Sequence, residues 1–183
     1  MARRAGLTPM AATIAPLTAE PETLAALAEM LIEVVANGGS VHFMHPVPPG
    51  EAETFWARSL AAAAAGQRIV LGARQDGRLV ATVTLDLAQP PNQPHRAEIA
   101  KLMTRVADRG QGYARALMLE AERLAVEQGR TLLTLDTAED DGAGPLYEAL
   151  GYERAGRIPD YAFRPLGGLT ATIIYFKRIG SAA

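Results

Sequence analysis

The 183-residue sequence contains no cysteine. That absence excludes disulfides, thiolate metal sites and a cysteine nucleophile, so any group-transfer chemistry must be direct or use another nucleophile. No basic cluster interleaved with aromatics appears, and the formal net charge is −2. Neither nucleic acid nor an anionic membrane is therefore the expected partner, which leaves a small ligand. No apolar run approaches membrane-spanning length, and Arg3-Arg4 is followed by a broken, proline-containing stretch instead of the apolar core of a signal peptide. The expected compartment is the cytoplasm. His42-x-x-His45 has no carboxylate or third ligand close by and lies among prolines. A wall of a substrate site is expected there, and no metal is expected.

What is present suits one folded domain. Apolar residues make up 49% of the chain and charged residues 21%, the mixture of a globular protein, and the length leaves no room for a second full domain. Residues 1–12 read as a loose arm and 13–183 as the domain. A short strand is expected from Thr13 to Leu17, then a helix from Pro21 with Leu24, Leu27, Ala28, Leu31 and Val35 at helical spacing up to Gly38-Gly39. A proline-rich loop, 41–50, leads to a second helix over 51–65. Two β-rich runs, 68–74 and 79–85, joined through Asp76-Gly77, read as a hairpin. A strand over 96–106, a glycine-rich loop, a helix over 112–128 and a buried strand over 131–137 make a βαβ crossover, hence a parallel pair. A short helix over 143–150 and strands over 152–158 and 170–177, separated by a loop containing Pro159-Asp160-Tyr161, complete the chain. The expected fold class is α/β, a mixed central sheet of about seven strands with helices on both faces.

The glycine loop, Arg109-Gly110-Gln111-Gly112-Tyr113-Ala114, lies between a strand and a helix. Such a loop presents free backbone N–H groups and the positive end of a helix dipole, which suit a phosphate. No Gly-Lys-Ser/Thr follows, and Arg115 stands where a dinucleotide fingerprint wants its third glycine. The spacing instead matches Arg/Gln-x-x-Gly-x-Gly/Ala, and the run Leu146-Tyr147-Glu148-Ala149-Leu150-Gly151-Tyr152 fits a second motif in register. On these residues, and on the order of elements from Thr13 to Arg178, the sequence resembles the GNAT acetyltransferase superfamily. The resemblance implies acetyl-CoA as co-substrate: the backbone of Arg109 to Ala114 would cradle its pyrophosphate, and the strand backbone at Leu102, Met103 and Thr104 would pair with its pantetheine arm. Thr104 stands where valine is usual, and Arg105-Val106-Ala107-Asp108 lacks the common proline.

Acetyl transfer to an amine needs the nitrogen neutral, an oxyanion stabilised and a proton or hydrogen bond for the departing thiolate. Strand alternation puts Glu98 on one face with Ala100, Leu102 and Thr104, where burial would raise its pKa and make it a base. Glu98 precedes Arg109 by eleven positions, the offset of a catalytic glutamate in several members of the superfamily. A surface carboxylate paired across strands with a lysine or arginine is the competing account. Asp136, at a strand end, shares the base role or orients the ammonium, or simply caps a loop. By resemblance the Tyr147 hydroxyl faces the coenzyme sulfur, while its ring can pack in the core. The oxyanion donor is expected to be a backbone N–H near Met103.

Family geometry puts the acceptor between His42–Pro49 and 159–169, which offer His42, Phe43, His45, Asp160, Tyr161 and Arg164. The resemblance thus implies a primary amine of a small, amino-acid-like molecule. Lys101–Arg105 and Arg157–Ala162 are similar to tabtoxin-resistance-type acetyltransferases, which would imply detoxification of a toxin or antibiotic. A peptide or protein acceptor, or a non-catalytic acyl-CoA sensor, is the alternative. The last strand, with Ile173-Ile174, is a candidate homodimer seam.

Overall fold

The computed structural model describes residues 12–180, so the expected arm lies almost wholly outside the described residues. The chain runs β1 (Thr13–Pro16), α1 (Pro21–Ala36), α2 (Pro49–Ala64), β2 (Arg68–Gln75), β3 (Arg78–Asp86), β4 (Arg96–Thr104), α3 (Tyr113–Glu127), β5 (Leu132–Ala138), α4 (Gly144–Ala149), β6 (Glu153–Phe163) and β7 (Leu169–Arg178). The seven strands form a single sheet in the order β1-β2-β3-β4-β5-β7-β6. Only β4 and β5 are parallel, as the crossover through α3 demands.

Apolar spacing decides which face each helix covers. Leu117, Met118, Ala121 and Ala125 of α3 join Leu71, Val83, Leu85, Ala97, Ile99, Leu133 and Leu135 of the sheet in one core. Leu27, Met30, Leu31 and Val35 of α1 and Ala52, Trp56 and Leu60 of α2 form a second core on the opposite face with Val70, Leu79 and Met103. Burial of these side chains supplies most of the driving force, at about 25 cal/mol per Å² of apolar surface.

Two irregularities in the sheet shape everything that follows. The parallel pairing of β4 with β5 covers only Arg96–Glu98 against Leu132–Thr134. Beyond it β4 stays with β3 as far as Thr104, and β5 stays with β7 as far as Ala138. The strands therefore splay apart and leave a strand-edge backbone open on each side of the gap. Second, Ala100 pairs with Thr84 but Met103 pairs with Thr82, so one extra residue is inserted in β4, and Lys101 takes a left-handed φ of 52° there. A β-bulge of this kind reverses the alternation of side chains. Ala97 and Ile99 face the α3 core, Leu102 packs against that same core, and Met103 belongs to the core under α1 and α2. The expected common face for Glu98, Ala100, Leu102 and Thr104 is thus broken between Ala100 and Leu102.

Two further expectations are corrected. Pro159-Asp160-Tyr161 is no loop: it lies inside β6, where the register with β7 jumps between Ile158 and Ala162. β6 is the sheet's edge strand, and there a proline's missing N–H costs no ladder bond. The last strand, β7, lies between β5 and β6, so its edges are already paired, and Ile173 is buried in the core at 6% exposure. It offers no free seam.

Candidate active site

The gap between β4 and β5 opens into a cleft of about 700 Å³. Its walls include Glu98, Leu102, Met103, Thr104, Arg109, Gly110, Gly112, Tyr113, Ala114, Asp136, Tyr147 and His42. Residues as distant in the chain as His42 and Tyr147 are thereby brought to one place. Gln111, Phe43, His45, Asp160, Tyr161 and Arg164 are not among the lining residues. Gln111 turns away to accept a hydrogen bond from the Tyr113 hydroxyl at 3.1 Å.

At one end stands the glycine loop. Gly110 and Gly112 take φ of 76° and 85°, and Gly112 is the N-cap of α3. Open space surrounds both where a Cβ would sit, so the backbone angle, not crowding, requires glycine here. No side chain caps α3, and its first turn holds no acidic residue. Free N–H groups at a helix start, beside Arg109 and Arg115 in the cleft wall, fit a pyrophosphate. The open backbone edge of β4 fits an extended amide-bearing arm laid alongside it as an added strand. The residues present thus suit coenzyme A.

The approach to that loop is anchored in a way the sequence did not reveal. The Arg105 guanidinium donates to the carbonyl of Leu79 at 3.0 Å and that of Ala26 at 3.2 Å, and pairs with Glu33 at 3.1 Å and Glu29 at 3.3 Å. Glu33 also accepts the Val106 N–H at 2.7 Å. The loop's entrance is therefore pinned to α1 by a side chain of 15% exposure. On the far wall, the Ser40 N–H donates to the Asp141 carboxylate at 3.1 Å, which ties the segment after α1 to the turn after β5. Burial raises the Asp141 pKa, Asp140 adds to the rise, and the bond from Ser40 opposes it.

Tyr147, on α4, is buried at 5% exposure. Its ring packs on Tyr152 and Tyr175 at centroid distances of 6.0 and 5.7 Å. Burial pushes its phenol well above the ordinary tyrosine range, and Asp141 and Asp136 add to the rise. The hydroxyl therefore stays protonated at neutral pH and keeps a hydrogen to donate.

Glu98 is not buried as expected. Its side chain is 44% exposed and pairs with Arg96 at 3.4 Å, an arginine of the same strand where the competing account expected a partner across strands. Asp136 accepts a bond from the Thr172 hydroxyl at 3.0 Å while still lining the cleft. Both carboxylates thus line the cleft. His42, at φ 70°, receives the Lys101 side chain, whose Nζ lies 2.9 Å from His42 Nδ1. Lys101 escaped the sequence reading, although one signal was there. Unbroken alternation from Ala97 and Ile99 would have sent it into the α3 core, and a lysine at an inward position implies a local break.

The two segments expected to frame the acceptor meet between His45 and Pro165. The His45 N–H donates to the Pro165 carbonyl at 3.0 Å, and the His45-Pro46 bond is cis. Phe43 packs edge-on against Phe55 of α2 at 5.2 Å. Arg164 pairs with Asp140 at 3.4 Å. Asp160 and Tyr161 sit on the β6 bulge, where Asp160 takes φ 51° and Tyr161 is 54% exposed. Among the described residues no group of three or more His, Asp or Glu is placed to hold a metal ion, and no helix is long and apolar enough to cross a membrane.

Comparison with known proteins agrees with this geometry. The structure is similar to that of an N-acetyltransferase from Staphylococcus aureus Mu50 (TM-score 0.78, 16% identity, 91% of this chain and 98% of that one). It is also similar to a GCN5-related N-acetyltransferase from Kribbella flavida (TM-score 0.78, 21% identity, 94% and 100% coverage). A third is a GNAT superfamily phosphinothricin acetyltransferase from Sinorhizobium meliloti in complex with acetyl-CoA (TM-score 0.78, 20% identity, 93% and 90% coverage). At these identities the likeness establishes the fold. The sequence itself matches the Acetyltransferase (GNAT) family over residues 36–152, from the end of α1 to the residue before β6 and so over every cleft-lining residue except Val34. The chain belongs to the acetyltransferase (GNAT) family and is an acetyl-CoA-dependent N-acetyltransferase.

Proposed function

We propose that the protein acetylates the primary amine of a small molecule directly from acetyl-CoA, both substrates sharing the cleft between β4 and β5. The observation that carries this reading is that one cleft is lined by the uncapped start of α3, Tyr147 and the carboxylates Glu98 and Asp136. With no cysteine in the chain, a thiol-bound acyl enzyme is excluded and one-step transfer is favoured.

In this reading the main chain of Arg109 to Ala114 binds the pyrophosphate, and that of Leu102 to Thr104 pairs with the pantetheine arm. Glu98 and Asp136 draw in the acceptor's ammonium. A main-chain N–H near Met103 stabilises the developing oxyanion. Tyr147 faces the sulfur. A phenol held above its ordinary pKa is a far weaker acid than a thiol of pKa about 8.5, so Tyr147 serves the leaving thiolate by a hydrogen bond and does not surrender its proton.

The acceptor is small and amino-acid-like, consistent with the resemblance of Lys101–Arg105 and Arg157–Ala162 to tabtoxin-resistance-type enzymes. His42 forms part of its wall, and Phe43, His45, Asp160, Tyr161 and Arg164 lie on the surrounding rim. Detoxification of an amine-bearing toxin or antibiotic is the corresponding biological role. The test is release of free thiol from acetyl-CoA with amino acids, amino-acid toxins, polyamines, aminoglycosides and peptides, each product identified by mass. Acetylation of a small primary amine is expected. Exclusive turnover of peptides would refute the acceptor class, and silence with every acceptor despite tight coenzyme binding would identify a sensor.

A further inference from the structure

Lys101 and His42 are two of only four non-glycine residues with positive φ among the described residues. Side chains with a Cβ adopt that region at a cost, and strain of this kind concentrates at functional sites. Here two separate segments, the β4 bulge and the loop after α1, both adopt it to bring one nitrogen of each to 2.9 Å in the cleft wall. The bulge is what turns Lys101 away from the α3 core and into the cleft.

The Lys101 amine is unusual for a partly buried lysine. No carboxylate lies within ion-pair distance among the described residues; its hydrogen bond is to His42 Nδ1, and it stands over the Phe55 ring of α2, 5.6 Å from the centroid. Burial lowers its pKa from the ordinary 10.5, and Arg68 on β2 lowers it further, whereas Asp136 on β5 and Glu98 on its own strand pull it back up. The His42 pKa is lowered too, by burial and then by Lys101. Two basic nitrogens at this distance disfavour carrying two protons at once. Glu98, expected to be the base, is half-exposed and tied to Arg96.

We propose that the Lys101 amine is the base that removes the proton from the acceptor's ammonium, with His42 Nδ1 holding the lysine in place as hydrogen-bond acceptor. This rests on the reading of the cleft as an amine-acetylating site. In the step, one N–H bond of the acceptor R–NH3+ breaks and its electron pair stays on the acceptor nitrogen. The proton bonds to Lys101 Nζ, giving a lysine ammonium that donates to His42 Nδ1 and rests on the Phe55 ring. The neutral amine then forms the C–N bond as the C–S bond breaks and the coenzyme sulfur leaves with the pair. The nitrogen's second departing proton neutralises that thiolate. Glu98 and Asp136 position the ammonium beforehand, and Lys101 returns its proton to water once product has left.

The test measures the pH profile of kcat/KM for the wild type, Lys101→Arg and Lys101→Met, with the best ammonium acceptor and with an analogue whose amine is already neutral at neutral pH. In the wild type, activity with the ammonium acceptor should rise with pH along a limb lying below the ordinary lysine range. Both variants should lose that limb and about 10²-fold in kcat/KM, arginine failing as badly as methionine because it keeps a charge but cannot take a proton. With the neutral amine the loss should shrink to a few-fold. Retained activity in Lys101→Arg, or equal losses with both acceptors, overturns the proposal. If the wild type acetylates no amine, the underlying reading has failed instead. The pair is then tested alone by NMR titration of the His42 ring, which should titrate at higher pH in Lys101→Met; an unchanged titration overturns the pairing itself.

Discussion

At the α3 end of the cleft the groups that face a ligand are main-chain N–H and carbonyl groups, fixed by two left-handed glycines and an anchored Arg105. At the other end they are side chains, namely Glu98 and Lys101 of β4, Asp136 of β5 and His42 of the loop after α1, delivered by three different segments. In the proposed function the first end binds what every such acetyl donor carries and should tolerate side-chain change provided the backbone path is kept. The second end is proposed to read the acceptor, so a single substitution there should alter chemistry without altering the fold. On that proposal binding of coenzyme and choice of acceptor are separable properties, and five substitutions probe the separation.

The largest effect is expected from Gly112→Val. A β-branched residue cannot hold φ near 85° without strain of about 1–3 kcal/mol, and relief of that strain would disrupt the start of α3. Isothermal titration should show coenzyme A affinity reduced about 100-fold, with helical content largely kept. Undiminished affinity would remove the main-chain account of this end. Next, Tyr147→Phe should lower kcat about 10–100-fold and leave coenzyme affinity nearly unchanged, because the ring contacts to Tyr152 and Tyr175 survive. The raised phenol pKa adds a sign. Deprotonation would abolish the hydrogen bond to sulfur, and a raised pKa postpones it, so no loss of kcat attributable to Tyr147 should appear below the ordinary tyrosine value of about 10.

A smaller effect, roughly tenfold in KM for a cationic acceptor, is expected of Glu98→Gln and of Asp136→Asn. It should weaken with added salt, as attraction at partly exposed sites does, and the KM for acetyl-CoA should not move. A matching rise in that second KM would mean that the two ends are not separable. Least of all, Thr104→Val should change coenzyme affinity by less than about twofold, since the backbone does the binding. A tenfold change would show that this side chain participates.

The same contrast explains how much could be read from the sequence. Elements set by local chemistry were legible: the Asp76-Gly77 hairpin, the helical stripe of α1, the glycine loop opening α3 and the Tyr147 motif on α4 all occur where spacing puts them. Glu98, Asp136, Tyr147 and His42 reach one cleft, as hoped for a site. What failed depended on partners distant in the chain. The β4 bulge inserts a residue in Ala100-Lys101-Leu102-Met103 without any glycine to mark it, so counting by twos put Glu98 on a face with Leu102. Pro159 suggested a loop because the position of β6 at the sheet edge is a global property. The Arg105 clamp to α1 and the Ser40–Asp141 tie join segments about 70 and 100 residues apart, and no local pattern encodes them.

Direct transfer requires both ends to act at once, passing the acetyl group from one to the other. Initial velocities measured across a grid of acetyl-CoA and acceptor concentrations test it most directly. Reciprocal plots that intersect, the mark of a ternary complex, are the predicted result. Parallel lines, accompanied by acetylated protein when acetyl-CoA is supplied alone, would show a covalent intermediate and contradict direct transfer.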